Sequence, residues 1–181
     1  GTCPSCAGGK PTICETSYDG DHGPIKTADG GKLHQAMATG GFAEKVVVDQ
    51  RQLVKISHDI PKDAASLIAC GVITGVGAVI NAANLRAGQD VVVIGAGGVG
   101  LNAIQGARIA GARRIVAVDM SEEKLAIAKE FGATHGILAA AEKPWRASYK
   151  ALGGRGAEAV IVTVGAIPAY EQAPKYLGRG G

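Results

Sequence analysis

The stretch DVVVIGAGGVGLNAIQGARIAG, residues 90–111, limits the folds open to this chain more than any other segment. It begins with VVVI, an unbroken apolar run of the kind a parallel sheet buries on both faces. Glycines follow at Gly95-x-Gly97-x-x-Gly100, and then a segment of helical periodicity that Gly111 ends. In that setting Gly95 permits a tight turn, Gly97 lets backbone approach a pyrophosphate, and Gly100 lets the helix lie close on the strand. The helix start, at Gly98 and Val99, offers free N–H groups and a positive dipole end to phosphate. A second strand, RIVAVD (114–119), ends in Asp119, 19 residues beyond Gly100. A carboxylate there accepts hydrogen bonds from an adenosine ribose and repels a 2′-phosphate, which favours NAD over NADP. Two other readings stay open. Flavin nucleotides use the same fingerprint, and the glycines can serve only to pack a helix on a sheet, with Asp119 a surface acid.

Strand and helix keep alternating from there. Ser121 is placed to cap a helix EEKLAIAKEF, with Glu122 and Glu123 at its positive end and Gly132 as its stop. A weak strand near 136–138, a helix around 145–152, a strong strand AEAVIVTVG (157–165) and a helix near 168–177 follow. Such alternation predicts an α/β fold, a doubly wound Rossmann-type parallel sheet. Four strands are two short of the usual six, so the sheet is expected to be incomplete. Upstream, PKDAASLIACGVITGVGAVINAA (61–83) reads as two helices meeting near Cys70 and Gly71. FAEKVVVD (42–49) and QLVKI (52–56) read as strands, and the first forty residues as a polar loop lobe. The domain boundary is placed at residue 60, giving units 1–59 and 60–181.

Composition removes several function classes. The net charge is +3 and no lysine or arginine cluster interleaves with aromatics, which gives nucleic-acid binding no support. No apolar run reaches the roughly 18 residues a membrane helix needs. Three clustered cysteines and one distant one argue for reduced thiols, and so for the cytoplasm. Cys3 and Cys6 form a C-x2-C pair, with Cys14 eight residues on. Thiolates so spaced wrap a tetrahedral zinc in a short loop. A redox C-x-x-C or unrelated thiols are the alternatives, although a redox pair belongs in a βαβ setting and this one lies in a polar loop.

With these motifs in view, the chain resembles the zinc-dependent medium-chain alcohol dehydrogenases. CPSCAGGKPTIC, FAEKVVVD, ACGVITGVGAV, GQDVVVIGAGGVGL and RIVAVDMSEEKLAIAKEFGAT run in that family's order. The resemblance implies that Cys3, Cys6 and Cys14 are the second to fourth ligands of a structural zinc, the first falling one position before Gly1. It makes unit 1–59 part of a mostly β GroES-like catalytic domain and 60–181 the NAD-binding domain, both ends being expected to be cut. It assigns Cys70 to a catalytic zinc, where an isolated thiol in a helix otherwise reads as buried packing. It sets Thr74 near the nicotinamide, Val99 against its ring, and Asp119 with Lys124 on the ribose. On its own Lys124 reads as a solvated helix lysine. His22, His34, His58 and His135 match no zinc ligand and are expected in loops or at the surface.

The implied function is hydride transfer from a small-molecule alcohol to NAD, giving an aldehyde, with zinc as Lewis acid. The full-length protein is implied to be a homo-oligomer. A catalytically inactive nucleotide-binding fragment and a zinc-free quinone reductase-like enzyme are the alternatives; the structural cysteines count against the second. The chain alone is expected to be inactive and to hold zinc weakly on three thiolates.

Overall fold

The computed structural model describes residues 2–16, 26–34, 39–48, 50 and 53–181. The chain divides into two compact units, Gly1–Ser57 and His58–Gly181. Among the described residues the first unit holds a short helix, α1 (Pro4–Ala7), a 3-10 turn over Pro11–Ile13, and an isolated antiparallel bridge between Lys26 and Lys32. The strands expected over 42–49 and 52–56 are not formed in their described parts, 42–48 and 53–56. Asp49 and Gln52 lie outside the described residues. A strand persists only when a neighbour takes up its N–H and C=O groups, and β-propensity alone does not supply one. Phe42, Val47 and Val54 accordingly stand exposed.

The second unit opens with one helical run, Lys62–Ala82. It consists of α2 (Lys62–Leu67), a π turn at Ile68–Val72, α3 (Ile73–Gly77) and a second π turn at Ala78–Ala82. The two helices expected to meet at Cys70 are therefore continuous, and the widened turns absorb the irregularity without breaking the run. The run has 21 residues and contains an 18-residue window of mean hydropathy 1.9, so by length and composition it is long and apolar enough to cross a membrane, and 11% of that window is buried. The expectation that no apolar segment reaches that length is corrected here. Ser66, Thr74 and the glycines interrupt the string of large apolar letters while leaving the average high.

The chain then winds a parallel sheet. Its strands are β1 (Asp90–Ile94), β2 (Arg114–Asp119), β3 (His135–Leu138) and β4 (Ala159–Val162). Their connections carry α4 (Gly98–Ile109), α5 (Glu122–Glu130) and α6 (Pro144–Ala151), and α7 (Ile167–Gln172) follows β4. The strand order is β3-β2-β1-β4, every pair parallel. The order reverses between β1 and β4, and the open end of that gap is where doubly wound sheets bind ligands.

Alternate side chains fill two cores, as the period of two requires. Val91, Val93, Ile115 and Ala117 pack under Ala103, Ile104 and Ala107 of α4 and Leu125 and Ala128 of α5. Val92, Ile94, Val116 and Val118 form the other layer with Ile137, Leu152 and Tyr176. Each fully buried valine contributes about 1.5–3 kcal/mol. At the opposite end of the sheet from the gap, buried Asp90 accepts a fork from Arg113, Nε to Oδ1 at 3.0 Å and Nη2 to Oδ2 at 2.6 Å. Its own N–H donates to Glu158 Oε2 at 2.7 Å.

Ser148 on α6 carries the one buried side-chain polar atom among the described residues that has no hydrogen-bond partner. An unpaired buried hydroxyl costs about 1–3 kcal/mol. Ser148→Ala is therefore expected to raise the denaturant midpoint or leave it unchanged. A clear loss of stability would show that the hydroxyl is paired in solution.

Candidate functional site

The glycine loop follows directly from β1. Gly95 takes φ 101° and its N–H donates to Val118 O at 2.7 Å. A Cβ on Gly95 would stand 2.5 Å from Val164 Cγ1 and 2.6 Å from Thr163 Oγ1. A Cβ on Gly100 would overlap the carbonyl oxygen of Gly95. Gly97 and Gly98 differ from these two, because a Cβ there meets nothing within 4 Å. Packing thus explains Gly95 and Gly100, while Gly97 and Gly98 border free space beside the first turn of α4. In that turn the N–H groups of Gly98, Val99 and Gly100 have no acceptor among the described residues, and helical bonding resumes with Leu101 N–H to Gly97 O at 2.8 Å. Thr163, which sequence reasoning missed, donates its hydroxyl to Ile94 O and Gly95 O, each at 3.1 Å. Its position just past β4, which pairs with β1 through Ile94 and Val162, was the available signal.

A cleft of about 390 Å³ opens over the carboxyl ends of β1 and β2 at the reversal point. Gly95, Asp119, Lys124, Pro168 and Tyr176 help line it. Asp119 Oδ2 accepts the N–H of Ala96 at 2.7 Å, and Oδ1 accepts that of Ser121 at 3.0 Å. A carboxylate has about four lone-pair sites, so each oxygen can take one more donor. Ser121 caps α5 by accepting the N–H of Lys124 at 3.4 Å. Burial pushes the Tyr176 phenol up to about 12, so it stays neutral at physiological pH.

Of the residues singled out from sequence, the cleft lining includes Gly95, Asp119 and Lys124. Gly97, Gly98, Val99, Gly100, Cys70 and Thr74 do not line it. Cys70 lies in the first π turn and Thr74 in α3, both exposed, and Val99 is half-buried. The backbone nevertheless ties Thr74 to the loop. Its neighbour Gly75 is buried so closely against α4 that a Cβ would overlap Val99 O and stand 2.7 Å from Ala103 N.

In the first unit Cys3, Cys6 and Cys14 hold their sulfurs within 4.8 Å of one another, with Cys3 Sγ 3.9 Å from Cys14 Sγ. Zinc–sulfur bonds of about 2.3 Å at tetrahedral angles put neighbouring sulfurs about 3.8 Å apart, so the donor set fits zinc. Backbone N–H groups of Glu15 and Cys6 point at Cys3 Sγ, at 3.4 and 3.5 Å. Those two bonds hold the Cys3 thiol down at about 6. Hydrogen bonds from Thr16 lower Cys14, whereas the neighbouring Cys3 and Cys14 sulfurs push Cys6 up. No βαβ element surrounds the cluster among the described residues, which leaves a redox C-x-x-C without its usual frame. Of the histidines, His34 and His58 are exposed and His22 lies outside the described residues. His135, expected in a loop or at the surface, instead opens β3 half-buried, its Nδ1 2.9 Å from Thr134 Oγ1.

Fold and loop together define a Rossmann-type α/β protein. A family model described as zinc-binding dehydrogenase matches residues 98–181. The chain is 36% identical over 189 aligned residues to the NDMA-dependent alcohol dehydrogenase of Amycolatopsis methanolica, covering 100% of this chain and 51% of that protein. The crystal structure of an alcohol dehydrogenase zinc-binding domain protein from Burkholderia ambifaria superimposes with a TM-score of 0.86 at 33% identity, over 98% of this chain and 50% of that one. Benzyl alcohol dehydrogenase from Acinetobacter calcoaceticus gives a TM-score of 0.86 at 29% identity, over 99% and 50%. These matches together support assigning the chain to the zinc-dependent medium-chain alcohol dehydrogenase family. It spans about half the length of the relatives it matches.

Proposed function

We propose that this chain binds NAD in the cleft over β1 and β2 and belongs to an oxidoreductase that moves hydride from a small-molecule alcohol to that cofactor. The observation that carries the reading is the pairing of three unaccepted N–H groups at Gly98–Gly100 with the Asp119 carboxylate. The first suits a pyrophosphate and the second an adenosine ribose. Lys124 on the same cleft wall supplies a cation beside the ribose. Val99 and Thr74, held together by the contact at Gly75, flank the path toward the nicotinamide.

Cys3, Cys6 and Cys14 would hold a structural zinc, and Cys70 would contribute one thiolate to a catalytic zinc. Bound there, zinc supplies Lewis acidity toward the alcohol oxygen. The solved relative named for benzyl alcohol supports a primary alcohol as the substrate class. Clustered reduced thiols suit the cytoplasm, and the full-length protein is read as a homo-oligomer.

Titration of the chain with NAD, NADP and FAD, followed by calorimetry, tests the reading. NAD is expected to bind more tightly than NADP, because the Asp119 charge repels a 2′-phosphate. Asp119→Ala is expected to weaken NAD about 10- to 100-fold, as loss of hydrogen bonds to a charged group implies. Tighter binding of NADP or FAD by the unaltered chain would overturn the assignment.

A further inference from the structure

We infer that Asn102 is a positioning residue for the cofactor, acting through the peptide between Gly98 and Val99. The inference rests on the NAD reading above. Asn102 Nδ2 donates to Gly98 O at 2.8 Å, while its Oδ1 accepts from Gln105 Nε2 at 3.3 Å. The Gly98 carbonyl and the Val99 N–H belong to one planar amide. A donor on the carbonyl polarises that amide and strengthens its N–H, as in any chain of hydrogen bonds. The Val99 N–H is one of the three without an acceptor, so the strengthened donor is the one offered to a phosphate.

The same side chain also sits where the Lys62–Ala82 run crosses α4. A Cβ on Gly75 would stand 2.7 Å from Asn102 Cβ, and one on Gly71 would stand 3.9 Å from Asn102 Nδ2. Gly71 and Gly75 directly follow Cys70 and Thr74 in the chain. Asn102 therefore lies between the glycine loop and the segment bearing Cys70 and Thr74. The two glycines leave room for a side chain of its size. Leucine keeps the bulk and loses the donor. Serine is shorter but keeps a hydroxyl able to reach back to the carbonyl four residues earlier.

The test compares NAD with adenosine, which has the ribose but no phosphate, by competition on the 181-residue chain and its Asn102→Leu and Asn102→Ser variants. In Asn102→Leu, NAD affinity is expected to fall about two- to fourfold, the share of one phosphate bond that polarisation supplies, with adenosine unchanged. Asn102→Ser is expected to recover most of that loss. Thermal midpoints taken in parallel report on folding. A general structural role would weaken adenosine and NAD together and follow the midpoint, and that result overturns the inference. Unchanged NAD affinity in Asn102→Leu overturns it too, while leaving the NAD reading intact. If the unaltered chain fails to bind NAD, the reading and the inference fall together.

Discussion

Gly100→Ala is expected to unfold or severely destabilise the second unit, by about 4 kcal/mol or more, whereas Gly97→Ala leaves stability within about 0.5 kcal/mol. The two substitutions add the same methyl group three residues apart. At Gly100 the methyl lands on the carbonyl oxygen of Gly95, and the remaining nearby atoms include Thr163 Oγ1 at 2.9 Å. The backbone of Gly95 has little freedom to retreat, because its N–H is bonded to Val118 O and a Cβ there would already strike Val164. At Gly97 the methyl enters empty space, and φ of −83° suits alanine. On the proposed NAD reading the damage at Gly97 should appear instead in binding, since the space it fills is where backbone and pyrophosphate would approach. Urea midpoints and NAD titration of both variants separate the two demands on the loop. A stable Gly100→Ala protein would show that the helix can slide on β1. Unaltered NAD affinity in Gly97→Ala would place the phosphates elsewhere.

Removal of zinc is expected to unfold the first unit and leave the second standing. Among the described residues, no buried hydrophobic core residue precedes Val79. A segment with so little apolar burial relies on cross-links or metal for its order. The three sulfurs of Cys3, Cys6 and Cys14 are already gathered at near-tetrahedral spacing. Cobalt added in excess, as weak holding by three thiolates requires, should show thiolate charge-transfer absorption, and Cys6→Ser should abolish it. Under chelation, amide exchange is expected to accelerate through residues 2–16 while β1 and β2 keep their protection. Equal protection in the first unit with and without metal would sink this account.

The second unit was legible in the sequence because its signals are local and mutually consistent. VVVI, the glycine spacing, Ser121 at the head of α5 and Gly132 at its end each specify one piece, and the alternation of strand with helix specifies the rest. The Lys62–Ala82 run was harder. Gly71, Gly75 and Gly77 look like helix breakers when read singly, yet Gly75 serves as the contact surface on which α4 rests. Only the packed partner reveals that role. The Val46–Val48 run misled in the opposite direction, since propensity was present and, among the described residues, a pairing neighbour was not. In the site, Asp119 was visible from its place at the strand end. Thr163 and Asn102 were not, because their significance lies in carbonyl groups 69 and four residues away.

Asp119 deserves a last word for what its two carboxylate oxygens already hold. One grips the Ala96 amide inside the glycine loop and the other the Ser121 amide at the head of α5. On the NAD reading proposed above, the group that would discriminate between cofactors is thus also a rivet in the scaffold. On that reading, discarding the acid to accept NADP would also remove the acceptor of the Ala96 and Ser121 N–H groups and loosen the loop. Lineages accepting NADP should instead retain a short side chain with hydrogen-bond acceptors at this position and acquire their cation from a neighbour. On that reading, cofactor preference and loop rigidity would change together.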